Sequence, residues 1–287
     1  MPVSLPVFVA GPASWNTIVY LDQLPEPRSQ SVAATWDYQT IGGTSAGKAL
    51  HLLDLGCDVT LDTLLGRDPA AERIRDALTA AGVSMMATEV EGPSERHLNL
   101  MTPQGERLSI YLSRATVPTG PPTSAELTAL EQARVAVIDL SSYAQRLLQP
   151  AQQSGIEIWT DLHDYDGRRE FHRPFIEAAA YVFLNADGLG EPAEFMRSCI
   201  AGGAQAVVCT LGARGALAVD AGLTWHEVSA VATAVVDTNG AGDAFLSGFL
   251  ARTLTGGSVP EALQAGVRQA TRALATRHLS PLLDPLL

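Results

Sequence analysis

The sequence predicts an α/β protein, with a mostly parallel central sheet covered by helices on both faces and a second, smaller sheet beside it. Three observations carry that prediction. From Ala125 onward, short apolar strands alternate with helical segments, the rhythm of strands joined by helical crossovers. Two strand-rich interruptions, near residues 13–41 and 95–115, break that rhythm and are expected to form the small sheet. The chain has 287 residues, 46% of them hydrophobic, enough for one large α/β domain or two small ones.

In chain order, Pro6 to Gly11 (PVFVAG) reads as a first buried strand. Thr17 to Leu21 and Val32 to Thr40 are strand-like, the second alternating polar and apolar residues as a half-exposed strand does. Gly42-Gly43 breaks the pattern and opens a helix, Ser45 to Leu55, which Gly56 ends. Val59 to Leu65 is a strand and Pro69 to Ala81 a helix, stopped by Gly82. His97 to Met101 and Arg107 to Leu112 flank Gln104-Gly105 as a hairpin. Later strands are Val135 to Leu140, Ile156 to Asp161, Tyr181 to Leu184 and Ala206 to Thr210. Ser258-Val259-Pro260-Glu261 has capping-box spacing and opens the last long helix.

Composition excludes several classes. A formal charge of −12 with no basic patch argues against nucleic-acid binding. No apolar run is long enough to span a bilayer and no basic leader precedes an apolar stretch, so a cytoplasmic protein without membrane contact is expected. Cys57, Cys199 and Cys209 are distant and odd in number, which fits small buried hydrophobes in a reducing compartment. The chain has a single lysine, Lys48, read as a consequence of Arg-biased composition.

The chemistry concentrates in Val235 to Phe249, VVDTNGAGDAFLSGF. Val235-Val236 reads as the end of an apolar strand, followed by a glycine turn and the first turns of a helix. The amides of Gly240, Ala241, Gly242 and Asp243 then lack intrahelical partners and are free to point together at an anion. A carboxylate beside such amides suits phosphoryl transfer to an alcohol: Asp243 accepts the hydroxyl proton while the amides hold charge on the phosphoryl oxygens.

The string D-T-x-G-A-G-D-x-F resembles the C-terminal signature of the ribokinase-like sugar kinases, the phosphofructokinase-B type family. The resemblance extends over nearly the full length, with motifs in order at residues 11–16, 42–49, 185–188, 210–215 and 237–245. It implies a three-layer α/β/α core with a β lid, 1–287 forming a single kinase domain whose lid strands come from about 13–41 and 95–115. It also implies ATP-dependent phosphorylation of a sugar or nucleoside-like small molecule. On this reading the acceptor meets Asn16, Gly42, Gly43, Gly47 and Asp243, while Asn185, Thr210, Gly212 and Gly215 line the nucleotide. Mg²⁺ is expected to neutralise the γ-phosphate in a chain with little cationic help. Asp237 and the Asn239 carbonyl resemble the family's monovalent-cation (K⁺) site. Family lids often pair, which implies a homodimer through the lid.

The chain departs from the family pattern at three places. Gly47 stands where an Asn is usual, Asn16 where an Asp is common, and Gly188 where the N-x-x-E segment has its Glu, with Asp187 and Glu191 the nearby carboxylates. The C-terminal segment from Ala275, ATRHLSPLL, replaces a Gly-Ala turn near adenine. These departures keep open a catalytically eroded small-molecule sensor with the same fold. A third reading is a P-loop NTPase using Lys48, since GGTSAGK fits G-x-x-x-x-G-K; Ala49 in place of a Ser or Thr and the polar WDYQT before it argue against this. Asp161, His163, Asp164 and Asp166 read as a solvated loop at a strand end, and Arg168, Arg169 and Arg173 as surface counter-charges.

Overall fold

A computed structural model describes residues 6–287. Thirteen strands and nine α-helices follow one another along these residues. The strands are β1 (Pro6–Ala10), β2 (Ser14–Tyr20), β3 (Trp36–Gly42), β4 (Asp58–Leu65), β5 (Ser84–Glu89), β6 (Glu95–Met101), β7 (Arg107–Ser113), β8 (Val135–Ile138), β9 (Glu157–Asp161), β10 (Tyr181–Asn185), β11 (Ala206–Thr210), β12 (Ala216–Asp220) and β13 (Trp225–Val228). The helices are α1 (Thr44–Asp54), α2 (Pro69–Ala80), α3 (Ser124–Gln132), α4 (Ser142–Gln145), α5 (Leu148–Gln153), α6 (Arg173–Ala178), α7 (Pro192–Ala201), α8 (Ala241–Leu254) and α9 (Val259–Leu274).

Nine strands form one sheet in the order β13-β12-β11-β10-β9-β8-β1-β4-β5. The pairings from β5 through β11 are all parallel, and β12 and β13 add an antiparallel edge. Alternate side chains of each central strand enter opposite cores, as a period of two requires. Val7 and Val9 face the core shared with α1, α2, α8 and α9, whereas Phe8 and Ala10 face the core shared with α3 to α7. The fold class expected from the rhythm of the sequence is the one observed. The second sheet, β3-β2-β6-β7, pairs β2 with β6 in parallel and closes both ends with antiparallel partners.

Local chemistry explains most element ends. Asp68 caps α2, accepting from the Ala71 amide at 2.9 Å, with Pro69 at the first helical position. The expected box at α9 forms, with the Ser258 amide donating to Glu261 at 2.8 Å. Val235 and Val236, read as a strand end, are a correction. They lie in an irregular segment at 56% and 47% exposure, because the sheet edge stops at Val228 and leaves them no neighbouring strand. The third strand begins at Trp36 rather than Val32, and β5, β12 and β13 complete a sheet larger than the sequence suggested.

One buried cluster between β4, α3 and α4 has a shared proton. The Tyr143 hydroxyl lies 2.7 Å from Asp62 Oδ1 on β4 and 2.8 Å from Glu126 Oε1 on α3. One hydroxyl proton serves one acceptor, so the second short contact needs a proton on a carboxyl. Glu126 already accepts from Arg146 at 2.9 Å, which leaves Asp62 as the acid. Burial pushes Asp62 up to about 7. A folded-state pKa above the unfolded value stabilises the fold at low pH, and that contribution is lost as pH rises through about 7. Asp62→Asn, neutral and of the same shape, is expected to flatten this dependence: between pH 5 and 8 its melting temperature should fall less than the wild type's. Identical slopes in a thermal-denaturation series would remove the shared proton.

Candidate active site

Between the small sheet and the C-terminal ends of the parallel strands lies a cavity of about 660 Å³. Such a crevice at strand ends is where open α/β sheets place ligands. Its floor is the start of α8. Gly240 caps that helix with φ 78°, a left-handed conformation that favours glycine. Of the turn's amides, Ala241 alone reaches a backbone oxygen, Thr238 at 3.5 Å, so Gly240, Gly242 and Asp243 keep their donors free. Asp243 is 7% exposed yet faces the cavity.

The Asp243 carboxylate is fixed from behind. Lys48 on α1, wholly buried, places its Nζ 2.8 Å from Asp243 Oδ1, 3.0 Å from Asp139 Oδ1 and 3.4 Å from Asp161 Oδ2. Asp139 follows β8 and Asp161 ends β9, so the ends of two parallel strands and two helices meet at one ammonium. Ser45 adds a hydroxyl donor to Asp139 at 2.6 Å. Burial pushes Asp243 up to about 6, with Lys48 and His163 pulling the other way. Burial also opposes ionisation of Asp161, but His163 and Lys48 outweigh it and hold its pKa below the usual carboxylate range. Lys48 is raised despite burial because three carboxylates favour its charged form.

Most sequence-predicted residues converge here. Asn16, Gly42, Gly43, Asn185, Asn239, Gly240, Gly242 and Asp243 line the cavity. Asn16 Oδ1 accepts from the Ser14 hydroxyl at 2.8 Å, which leaves its amide nitrogen as the free donor. Asn185 Oδ1 accepts from the Asp187 amide at 2.9 Å in a tight turn, and Asp187 lines the cavity, its carboxylate making no hydrogen bond or ion pair among the described residues. Thr210, Gly212 and Gly215 are not in the cavity wall. Thr210 stands beside Asn185 in register, and the loop after it turns β11 into antiparallel β12. Gly47 lies beneath Asp243 rather than in the wall. Asp237 accepts from the Asn239 amide at 2.7 Å and from the Tyr38 hydroxyl at 2.7 Å. Arg107 on β7 donates to Asn239 at 3.1 Å, so the small sheet is latched to the segment that leads into the glycine turn.

The structure agrees with the sequence argument against a P-loop and corrects one other reading. The GGTSAGK string is no phosphate loop: β3 before it belongs to the antiparallel end of the small sheet, and Lys48 is sealed among aspartates. The DLHD stretch is no merely solvated loop. Asp161 is buried on Lys48, and His163, held at φ 52° and donating its amide to Asp161 at 3.0 Å, lines the cavity. The pattern to look for was a polar residue directly after each apolar strand, as in VAVID and IWTDLH. Lid residues Glu95, His97 and Tyr111, missed in the sequence, complete the far wall.

A large parallel sheet, a four-stranded lid over its strand ends and a glycine turn carrying an aspartate define a ribokinase-like sugar kinase. The chain belongs to the pfkB family of carbohydrate kinases, whose family model matches residues 14–281. It is 33% identical over 265 residues to acarbose 7(IV)-phosphotransferase from Actinoplanes sp., covering 91% of this chain and 89% of that one. It superposes on the microbiome-derived acarbose kinase Mak1 with a TM-score of 0.85 at 30% identity, covering 96% of this chain and 94% of that one. Ribokinase from Arabidopsis thaliana, solved with ribose and ATP, shares the fold at 19% identity and a TM-score of 0.81, covering 98% and 99%. The protein is therefore a kinase, a transferase acting on a carbohydrate-type acceptor.

Packing accounts for one departure from the family pattern and tests another. A Cβ on Gly188 would sit 2.4 Å from the Tyr165 carbonyl oxygen, so no side chain fits there. A Cβ on Gly47 would lie 2.9 Å from Asp243 Oδ2 and 3.2 Å from its Cβ. Gly47→Ala is expected to push α1 away from α8 at a cost of about 1–3 kcal/mol. Urea denaturation checks this, and an unchanged midpoint would show that Asp243 has room to move.

Proposed function

We propose that the protein transfers the γ-phosphoryl group of ATP to a hydroxyl of a sugar, with acarbose, named for two of its relatives, as the first acceptor to try. The observation that carries this reading is a cavity-facing Asp243 beside free amides at the start of α8. Asp243 accepts the hydroxyl proton as the acceptor oxygen forms a bond to the γ-phosphorus. The bond from that phosphorus to the bridging oxygen breaks and ADP departs. The free amides of Gly240, Gly242 and Asp243 hold the charge spread over the phosphoryl oxygens, a donor set in which each member is worth about 10²–10³ in rate. A base whose pKa is about 6 is ionised at neutral pH and still basic enough to take a proton.

The acceptor end is the lid side, where the Asn16 amide and Glu95, His97 and Tyr111 offer donors, acceptors and a ring face. The nucleotide end is the side of Asn185, with Thr210, Gly212 and Gly215 next along the strand ends. A bound Mg²⁺ would neutralise charge on the phosphates, and the Asp187 carboxylate in the cavity wall is the residue that would hold it. A K⁺ ion would find the Asn239 carbonyl and an Asp237 carboxylate already shared with Tyr38, and no step passes through it.

Asp243→Asn is expected to lower turnover by about 10²–10⁴, measured as ADP released with ATP, Mg²⁺ and a panel of acarbose, ribose and nucleosides. Unchanged turnover would rule out Asp243 as the base. Ligand-induced stabilisation without ADP release by the wild type would mark an eroded sensor.

The lid also supports a dimer. Leu108, Ile110 and Leu112 alternate along edge strand β7 at 43%, 40% and 48% exposure, an unpartnered apolar row. Ile110→Asp is expected to shift the sedimentation coefficient from dimer to monomer. A wild type that sediments as a monomer removes the pairing.

A further inference from the structure

Lys48 is the chain's single lysine, and its ammonium lies where no solvent reaches. A buried ammonium persists only if paired, and here three aspartates surround one cation. The arrangement is built rather than incidental. Asp139 is held by Ser45, Asp161 is held by the His163 amide, and Gly47 leaves the space that lets α1 approach Asp243. Lys48 holds only Oδ1 of Asp243. Oδ2 takes no protein hydrogen bond and is the oxygen left to meet an acceptor.

We infer that Lys48 is a positioning residue for phosphoryl transfer: its ammonium keeps the Asp243 carboxylate ionised and aims its free oxygen into the cavity. The inference rests on Asp243 being the base. The charged groups that face Asp243 are Lys48 from α1, Asp139 beyond β8, and Asp161 and His163 at the end of β9. Without the lysine, Asp243 keeps two carboxylates as neighbours and only the His163 ring to offset them. A proton then binds Asp243 at pH values where the native enzyme is ionised, and catalysis needs a higher pH.

The test is the pH dependence of kcat for Lys48→Met and for the charge-balanced pair Lys48→Met/Asp139→Asn. The pair removes one cation and one anion, which keeps the fold within reach if the single variant does not fold. An opposite charge within about 4–6 Å is worth roughly 1–3 pKa units. The acidic limb is therefore expected to move upward by about 1–3 units in Lys48→Met and by a smaller upward step in the pair, where loss of the Asp139 charge offsets part of the change. Activity should be recovered as pH rises, and KM for the acceptor should stay within about threefold. In the folded pair, ¹³C NMR of the Asp243 carboxyl should show the same upward displacement without any acceptor. An acidic limb and a carboxyl titration at the wild-type position would overturn the inference. Asp243→Asn run alongside separates the two ideas. Turnover surviving in it removes the base itself; its loss together with an unmoved limb in the pair removes only the role of Lys48.

Discussion

One buried ammonium organises this site. Lys48 binds the ends of β8 and β9 to the start of α8 through Asp139, Asp161 and Asp243. Removing one partner from such a cluster leaves uncompensated charge in a dry interior, which is more costly than the net worth of any single pair. The cluster therefore works as a constraint. α1 must lie close enough for the lysine to reach, and it does so because Gly47 puts no side chain between the helices. The same closeness brings Asp243 under the cavity.

Topology supplies the rest. β1 runs parallel between β8 on one side and β4 on the other, so the chain leaves the sheet in opposite directions from its middle. The strand ends there open a crevice, and the lid covers it because β2 and β6, which start directly after crossing that end, pair with each other. The lid is tied down through Tyr38 to Asp237 and Arg107 to Asn239. Both ties land on the segment that precedes the glycine turn. Lid position and the geometry of the turn are thus coupled through a few side chains.

Much of this was legible in the sequence, for physical reasons. Buried parallel strands are short runs such as VFVA and AVVCT whose two faces both need apolar residues, so periodicity and composition point the same way. The α9 box and the Asp68 cap are local, and local chemistry reads directly. What failed was non-local. Val235-Val236 carries strand propensity, but a strand needs a partner, and the sheet edge ends before it. Asp139 lies 91 residues beyond Lys48 along the chain and Asp161 lies further still, yet both carboxylates meet the one ammonium, and no spacing rule connects them. The string GGTSAGK misleads because Gly42 and Gly43 make room for Asn16 and for the Pro12–Ala13 backbone, and Gly47 for Asp243 on α8.

The departures from the family pattern fall into place when the residues are taken together and not one by one. Where a family member presents an Asn, this chain has Gly47, and the adjacent position is the buried lysine. A side chain at 47 would contend with Asp243 for the space through which Lys48 reaches it, so the glycine and the lysine are two parts of one exchange. The neighbouring loss at position 188 has a similar logic, since the backbone of Asp164 and Tyr165 occupies the space a side chain would need. That backbone continues from Asp161 and His163, which belong to the lysine cluster and the cavity wall. Gly47 and Gly188, which look like erosion in a linear comparison, are thus both set by packing around or next to one electrostatic centre. A chain losing catalysis would have no reason to enclose its single lysine against three aspartates while keeping Asp243 open to the cavity. That argument favours a working enzyme over a relic.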